Sequence, residues 1–313
     1  MKYNLQITLV LILIFIFSQV VGLGLANASI KELKILETGE KIITYSTIPV
    51  ERPETTGFES LLFILIGIAF ATGLFLLIVR FRLYRLWKLW FFFAVLLTMW
   101  ISFSIVMGQI EAFIVALVIA SVKVFRPNPI VHNIAEVLVY SGIVLLLFPM
   151  FDVIWVVALL LVISVYDFLA VFKTGHMVSM AKFSMRTKLF PGISLPIQGS
   201  KKEAAISGQK IMKANKTGEA EEKQYQAAIL GGGDITFPML FSSVVMQDLF
   251  RNGFDKLTSL NFSLVITATS AASLLLLLLL ARKGKFYPAM PFITAGSLIG
   301  YGIIFALTGR LGV

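Results

Sequence analysis

Residues 228–238 read AILGGGDITFP, so three glycines and an aspartate interrupt an otherwise apolar stretch. Of the whole chain, 58% of residues are hydrophobic and only 14% are charged. Soluble globular chains carry about 25% charged residues, and a composition this apolar is typical of integral membrane proteins. Asp234 is therefore a charge that a bilayer accepts only at a cost, and its presence indicates a specific role.

Apolar runs of about 20 residues recur along the 313 residues. Because lipid offers no partner to unpaired backbone groups, these runs predict an all-α membrane protein, a polytopic bundle of nine transmembrane helices. The predicted spans are residues 4–26, 58–79, 89–107, 109–125, 130–148, 151–172, 225–246, 259–281 and 286–308. The protein is thus expected in the cell membrane of a prokaryote or an endomembrane of a eukaryote.

Basic residues mark one end of alternate spans. They are Arg80, Arg82, Arg85 and Lys88 after the second span, Lys123 and Arg126 after the fourth, and Arg282, Lys283 and Lys285 after the eighth. The positive-inside rule places these loops in the cytoplasm, so the N-terminus is predicted cytoplasmic and the C-terminus outside. The first loop, residues 27–57, has five Glu against four basic residues and is predicted outside.

The predicted spans divide the chain into three parts. Residues 1–172 form an N-terminal six-helix part, and residues 225–313 form a C-terminal three-helix part. Between them, residues 173–224 carry ten Lys or Arg against four Glu, which predicts a polar cytoplasmic loop that acts as a solvated linker.

The amino terminus has two interpretations. Lys2, the apolar run and the small residues at 26–28 also resemble a signal peptide with its cleavage site. The apolar run is longer than the core of a signal peptide, which favours a retained helix, and cleavage would leave the orientation of the later spans unchanged.

Composition also limits the partners and cofactors. The net charge of +10 comes from basic clusters between apolar runs, which predicts contact with lipid headgroups and no nucleic-acid binding. The chain has no cysteine, and its two histidines, His132 and His176, are too few for a histidine-based metal site. We therefore expect no metal and no cofactor.

Two aspartates are predicted inside the bilayer at similar depth. Asp167 lies six residues before Lys173, and Asp234 lies nine residues after Tyr225. At 1.5 Å per residue, these separations correspond to about 9 Å and about 13 Å from the cytoplasmic edge. A third acid, Glu136, lies near the cytoplasmic start of its span, where a packing or headgroup role is favoured.

The two aspartates have two interpretations. Each could fix helix packing through hydrogen bonds to a neighbouring helix. Alternatively, two close carboxyl groups share a proton, so that one acts as a base towards water and the other as an acid towards a peptide carbonyl.

The glycines beside Asp234 also allow two interpretations. Gly231 is expected on the helix face of Asp234, Gly232 and Gly233 weaken the helix, and Pro238 leaves the Asp234 carbonyl without its helical donor. This segment is thus expected to open for a substrate, although glycines also serve close helix packing. Such packing is the predicted role of the pair Gly296 and Gly300.

Three motifs resemble those of presenilin-type intramembrane aspartyl proteases. They are YD at Tyr166 and Asp167, GxGD at Gly231 to Asp234, and, in place of the family's Pro-Ala-Leu, Pro288, Ala289 and Met290. The resemblance covers essentially the whole chain and is strongest to archaeal presenilin homologues. Signal peptide peptidases are similar, but the predicted direction of the YD span matches presenilins.

This resemblance implies a site and an activity. It implies that Asp167 and Asp234 are catalytic and that Tyr166, Gly231, Gly233, Pro288, Ala289 and Met290 support the active site. It further implies substrates with a single span and an outside N-terminus, and, from the archaeal homologues, no need for accessory subunits.

Two other functions remain open at this stage. A cation- or proton-coupled transporter or channel would also contain buried acids and broken helices. A prepilin-type peptidase shares GxGD but not the YD motif in the preceding span.

A substrate helix must be unwound before its peptide bonds can be reached, because its backbone is hydrogen-bonded internally. We expect the unwound strand to pair with irregular backbone at the site, at Gly231 to Gly233, at Pro288 to Pro291, and at residues 191–197 (PGISLPI). The last segment is equally well interpreted as a plain linker, since its two prolines limit pairing.

Overall fold

The computed structural model describes residues 5–35, 37, 41–81, 83–126, 128–174, 191–197, 226–281 and 287–309. Nine α-helices lie within these residues: α1 (Leu5–Ser29), α2 (Phe58–Arg80), α3 (Tyr84–Phe103), α4 (Gln109–Phe125), α5 (Pro129–Leu147), α6 (Val153–Leu169), α7 (Gly232–Arg251), α8 (Lys256–Leu280) and α9 (Met290–Thr308). Each predicted span overlaps one of them.

Seven of these helices are long and apolar enough to cross a membrane, and α4 and α7 are the two that do not qualify. Helix α4 has only 17 residues. Helix α7 carries polar residues along much of its length, among them Asp234, Ser242 and Gln247. The chain is an integral, multi-pass membrane protein.

Two short hairpins correct the all-α prediction. Strands β1 (Ile30–Ile35) and β2 (Lys41–Tyr45) pair in the first loop, and β3 (Gly192–Ile197) pairs antiparallel with β4 (Gln226–Gly231). The sequence pattern missed both because the strands are short and lie outside or at the ends of the apolar runs. Most of the predicted loop, residues 173–224, lies outside the described residues.

Helix α1 packs one face against α5, α7 and α8. Phe15 and Leu23 are completely buried, and Gly22 faces the Met239 side chain so closely that a Cβ would lie 2.1 Å from its sulfur. The first apolar segment thus packs into the hydrophobic core.

Helices α8 and α9 make a close contact through small residues. A Cβ on Gly296 would lie 2.6 Å from the Thr269 carbonyl oxygen, and one on Gly300 would lie 2.8 Å from the Ile266 Cα. Such backbone contact is possible only without side chains. The predicted packing role of this pair is confirmed.

We expect Gly300→Ala to lower the free energy of unfolding by about 1–3 kcal/mol, because the added methyl group overpacks this contact. Gly302→Ala is the matched control, since a Cβ there meets nothing within 4 Å. Thermal unfolding of the two variants in detergent measures the difference. Equal unfolding temperatures would contradict the packing account.

A buried ion pair joins α4 to α5. Lys123 Nζ donates to Glu136 Oε1 at 2.6 Å, and both side chains are 1% exposed. Glu136 thus has the packing role that its sequence position favours. Since Lys123 faces the protein interior, the positive charge at this end of α4 that can reach lipid headgroups comes from Arg126.

Candidate active site

Helices α6 and α7 run antiparallel and place their aspartates at the same end. At the opposite end, Arg251 at the end of α7 donates to Asp152 at the start of α6 over 3.1 Å. Asp167 lies in the last turn of α6, and Asp234 lies in the first turn of α7. The two carboxyl groups are close enough to interact electrostatically.

The position of Asp234 corrects the predicted depth within its span. Residues 226–231 form strand β4, so α7 begins at Gly232 and not near Tyr225. Asp234 is therefore the third helical residue. The two carboxyl groups still interact, although the helix that carries Asp167 continues beyond α6 as a π-helical segment, Ala170–Thr174.

The backbone at the start of α9 holds Asp167. Its Oδ2 accepts a hydrogen bond from the Met290 amide at 3.1 Å, and the Ala289 backbone also donates to this carboxyl group. Pro288 and Met290 are buried. Ala289 and Met290 thus contact Asp167 through their backbone N–H groups at a helix N-terminus, and Pro288 directly precedes them.

A side-chain hydrogen bond fixes α6 against α9 one turn away. Ser164 Oγ and Thr294 Oγ1 are 2.7 Å apart and buried. Ser164 precedes Asp167 by three residues, and Thr294 follows Met290 by four, so this bond lies next to the contact between the carboxyl group and the helix start.

The backbone at the start of α7 holds Asp234. Gly231 is the N-cap residue, with φ −65° and ψ 146°, and its N–H donates to the Asp234 carboxyl group. A side chain at the third helical position that reaches back to the N-cap N–H is half of a capping box. Each aspartate is therefore held by amides at a helix N-terminus, its own for Asp234 and that of α9 for Asp167.

The three glycines have different surroundings. A Cβ on Gly231 would lie 3.1 Å from Asp234 Oδ2, and one on Gly232 would lie 2.8 Å from the Tyr140 ring. Gly233 is exposed, and its Cβ would have only ordinary contact with Phe237 at 3.4 Å. Gly231 thus lies beside Asp234 as expected, but as the cap before the helix and not on its face.

Gly233→Val is expected to slow cleavage by about tenfold or more, because the side chain would occupy open space beside Asp234 where a substrate must approach. The open surroundings of Gly233 predict an unchanged unfolding temperature. Gly24→Val on α1 is the matched control, since it makes the same substitution in a helix where a Cβ meets nothing within 4 Å. A variant that cuts at the wild-type rate would show that this space is not used.

The next turn of α7 contains Pro238, which lies inside the helix. Proline has no N–H for the Asp234 carbonyl and crowds it. Gln19 of α1, which is buried, donates its Nε2–H to the Ile235 carbonyl at 2.8 Å, and Thr236 Oγ1 donates to the Gly232 carbonyl at 2.8 Å. Side chains thus bond carbonyl groups in the turn that Pro238 disturbs.

Tyr166 lies away from the carboxyl pair. Its side chain is half exposed and lines an apolar cavity of about 220 Å³ between α2 and α6, together with Leu65, Ala69, Thr72 and Val162. Tyr166 therefore lines this cavity, while Asp167 itself is buried.

Sequence reasoning missed several residues near the pair: Gln19, His132, Asn133, Tyr140, Ser164 and Thr294. Their signal was a polar side chain inside an apolar span, which Ser and Thr give so often that it does not select a site. Among the described residues, no group of three His, Asp or Glu side chains is placed to hold a metal ion.

The fold and this site define a multi-pass helical membrane protein. Two of its helices place one carboxyl group each at the same end, where the two groups interact electrostatically. The model of the family "Signal-peptide peptidase, presenilin aspartyl protease" matches residues 12–310. The chain therefore belongs to this family of intramembrane-cleaving aspartic endopeptidases, and it is an enzyme. The transporter and prepilin-peptidase alternatives gain no support.

Solved structures show the same fold. A presenilin family intramembrane aspartate protease in a C222 crystal form matches with TM-score 0.60 and 18% identity, over 96% of this chain and 99% of that chain. The P2 form matches with TM-score 0.56 and 17% identity, over 95% and 96%. Comparison with curated protein sequences finds no significant match.

Proposed function

We propose that Asp167 and Asp234 are the catalytic pair of an endopeptidase that hydrolyses peptide bonds within transmembrane segments. The observation that carries this proposal is the meeting of the two carboxyl groups at one level, each supported by backbone amides. Two acids that interact in this way hold one proton between them more easily than two negative charges.

In the proposed reaction, the ionised carboxylate takes a proton from a water molecule, whose oxygen attacks the substrate carbonyl carbon. The protonated carboxyl group gives its proton to the carbonyl oxygen, which yields a tetrahedral diol. The diol then collapses: one of its hydroxyl groups gives its proton to the carboxylate that had acted as acid, the C–N bond breaks, and the leaving nitrogen takes a proton from the carboxyl group that had acted as base. The products are a carboxylic acid and an amine, and the pair regains its single proton.

The membrane arrangement is a further part of the proposal. Nine crossings with a cytoplasmic N-terminus and an outside C-terminus place the aspartates, β3 and β4 at the cytoplasmic end. The exposed Arg80 and Arg85 at the junction of α2 and α3, and Arg126 after α4, support this direction. Residues 1–172, 173–224 and 225–313 then form the six-helix part, the loop and the three-helix part.

The substrates we propose are single-span proteins with an outside N-terminus, which enter from the bilayer. The cavity between α2 and α6 is lined by Tyr166, the residue that directly precedes Asp167, which supports an approach on that side. We also propose that the chain acts without accessory subunits.

We propose that the unwound substrate strand pairs with β4. Residues 191–197, predicted either to pair with the substrate or to be a plain linker, contain strand β3, which pairs with β4. On the edge of β3 that faces away from β4, the carbonyl groups of Gly192 and Ser194 accept hydrogen bonds from α5. This edge of β3 is therefore already bonded. Strand β4 runs directly into Gly231 and Asp234, so its outer edge leads a paired strand to the carboxyl groups.

The rate of cleavage should follow a bell-shaped curve between about pH 4 and about pH 9, because one carboxyl group must be ionised and the other protonated. The rate falls at low pH when the base is protonated and at high pH when the acid loses its proton. Single-turnover rates with excess enzyme check this. A flat profile, with the chemical step limiting, would argue against a shared proton.

The proposed function is tested with the purified protein in lipid vesicles that contain a single-span peptide. Mass spectrometry is expected to find cuts inside the apolar segment. An intact peptide, together with proton or cation flux across the vesicle membrane, would instead support a transporter.

A further inference from the structure

We propose that Asn133 is a positioning residue, whose side-chain amide holds β3, and through β3 the strand β4, in the register that cleavage requires. This inference rests on the proposed function, because it concerns the strand that leads into Asp234. It assigns a role to a polar residue in the second turn of α5 that takes no part in the carboxyl pair.

The Asn133 amide bonds β3 as a neighbouring strand would. Its Nδ2 donates to the Ser194 carbonyl at 3.0 Å, and its Oδ1 accepts from the Ser194 N–H at 3.0 Å. One residue earlier on α5, His132 Nε2 lies 2.9 Å from the Gly192 carbonyl oxygen, with the imidazole as donor. Three hydrogen bonds thus connect the start of α5 to the outer edge of β3.

The hydrogen bonds from α5 use backbone groups of β3 that do not bond β4. Residues of an antiparallel pair alternate between bonding the partner strand and facing away from it. Gly232 donates to the Pro191 carbonyl across the hairpin, so Pro191 faces β4 while Gly192 and Ser194 face α5. Pro196 lies two residues after Ser194, so its backbone nitrogen also points away from β4. The lack of an N–H in proline therefore costs no hydrogen bond to β4.

The helix that carries Asn133 is itself fixed beside the site. Glu136, three residues later, forms the buried pair with Lys123 of α4. Tyr140, one turn further, packs its ring against Gly232, two residues before Asp234. Helix α5 therefore contacts β3 and the residue that follows β4: it bonds β3 through Asn133 and packs Tyr140 against Gly232, the first residue of α7.

Two consequences follow for the reaction. Without the amide, β3 loses two of its three bonds to α5, and β4 loses the support that keeps it extended before a substrate arrives. The freed outer edge of β3 also becomes open to strand pairing on the wrong side. The expected losses are therefore in rate and in the choice of the cut position.

The test uses four variants in a background of otherwise native protein. Asn133→Ala removes both amide bonds. Ser194→Pro removes the Ser194 N–H, which donates to Asn133 Oδ1. No hydrogen bond to β4 is lost, because the backbone groups of residue 194 point away from β4. The double variant combines them, and Ser194→Ala is the matched control, since Asn133 contacts the Ser194 backbone and not its hydroxyl group.

We expect Asn133→Ala and Ser194→Pro each to lower kcat/KM for a single-span peptide by about tenfold, the loss of roughly one to two hydrogen bonds. The double variant should be no slower than the slower single variant. Deuterium exchange should speed up in residues 191–197 and 226–231 only, and mass spectrometry should show additional cut positions. Ser194→Ala should match the wild type.

The inference would be overturned if the losses of kcat/KM in the two single variants multiplied in the double variant. It would also be overturned if Asn133→Ala kept the wild-type rate and cut positions. If Asn133→Ala does not fold, Ser194→Pro, which leaves α5 intact, decides by the same two measurements. A wild-type protein that cuts no peptide would refute the proposed function instead. In that case deuterium exchange alone tests the positioning role of Asn133, and unchanged exchange in Asn133→Ala would refute it.

Discussion

Asp167→Asn and Asp234→Asn are each expected to reduce cleavage of a transmembrane peptide by about 10³-fold or more, because an amide keeps the shape of the carboxyl group but cannot exchange its proton. Folding should survive, since the side-chain oxygen of Asn still accepts the backbone N–H bonds from Met290 and Gly231. Each variant is measured in a single-turnover assay, with its unfolding temperature recorded beside it.

Asp248→Asn is the matched control for this pair of variants. It makes the same substitution on α7, 14 residues after Asp234, or about 21 Å along the helix axis. Its carboxyl group accepts from Asn252 within the same helix, away from the carboxyl pair. Substantial turnover by either of the first two variants, or an equal loss in Asp248→Asn, would show that the assignment of the pair is wrong.

The sequence of the substrate should change its cleavage almost as strongly. Two glycines near the scissile bond make a helix easier to unwind by about 2 kcal/mol relative to helix-forming residues, which corresponds to about 30-fold in rate if unwinding precedes the chemical step. A proline there should have a larger effect, up to about 10²-fold. The comparison is a poly-Leu span with and without these residues, at equal peptide-to-lipid ratios.

Binding must be separated from unwinding in that comparison. Saturating enzyme in single-turnover conditions gives the rate after binding, and glycines placed far from the cut serve as the control peptide. Equal rates for the rigid and the softened peptides would refute the unwinding step and the pairing with β4, but would leave the carboxyl pair untouched.

Periodic and compositional signals predicted much of this fold because each span buries a long apolar segment. The prediction was wrong at the seventh span, where residues 226–231 are apolar but pair with β3. Apolar runs do not distinguish a buried strand from the start of a helix, and the partner strand lies about 30 residues away in sequence. Only the glycines, which disfavour a helix interior, carried a local signal of the boundary.

The candidate site was partly predictable for a similar reason. An isolated acid in an apolar span is visible in the sequence, so Asp167 and Asp234 stand out. The role of Pro288 to Met290 was not visible in the same way, because the contact with Asp167 is made by a backbone N–H, which every residue except proline has. Asn133 was hidden because its partners are also backbone groups.

The most direct test is to incubate one single-span peptide in water enriched in heavy oxygen with the wild type, Asp167→Asn and Asp234→Asn in parallel. The masses of the products are then measured by mass spectrometry. We expect the wild type alone to yield fragments cut within the span, with one heavy oxygen atom in the new carboxyl group of the N-terminal fragment and none in the C-terminal fragment, which gains an amine. Fragments from either variant at the wild-type rate, or a new carboxyl group without heavy oxygen, would contradict direct hydrolysis by this pair.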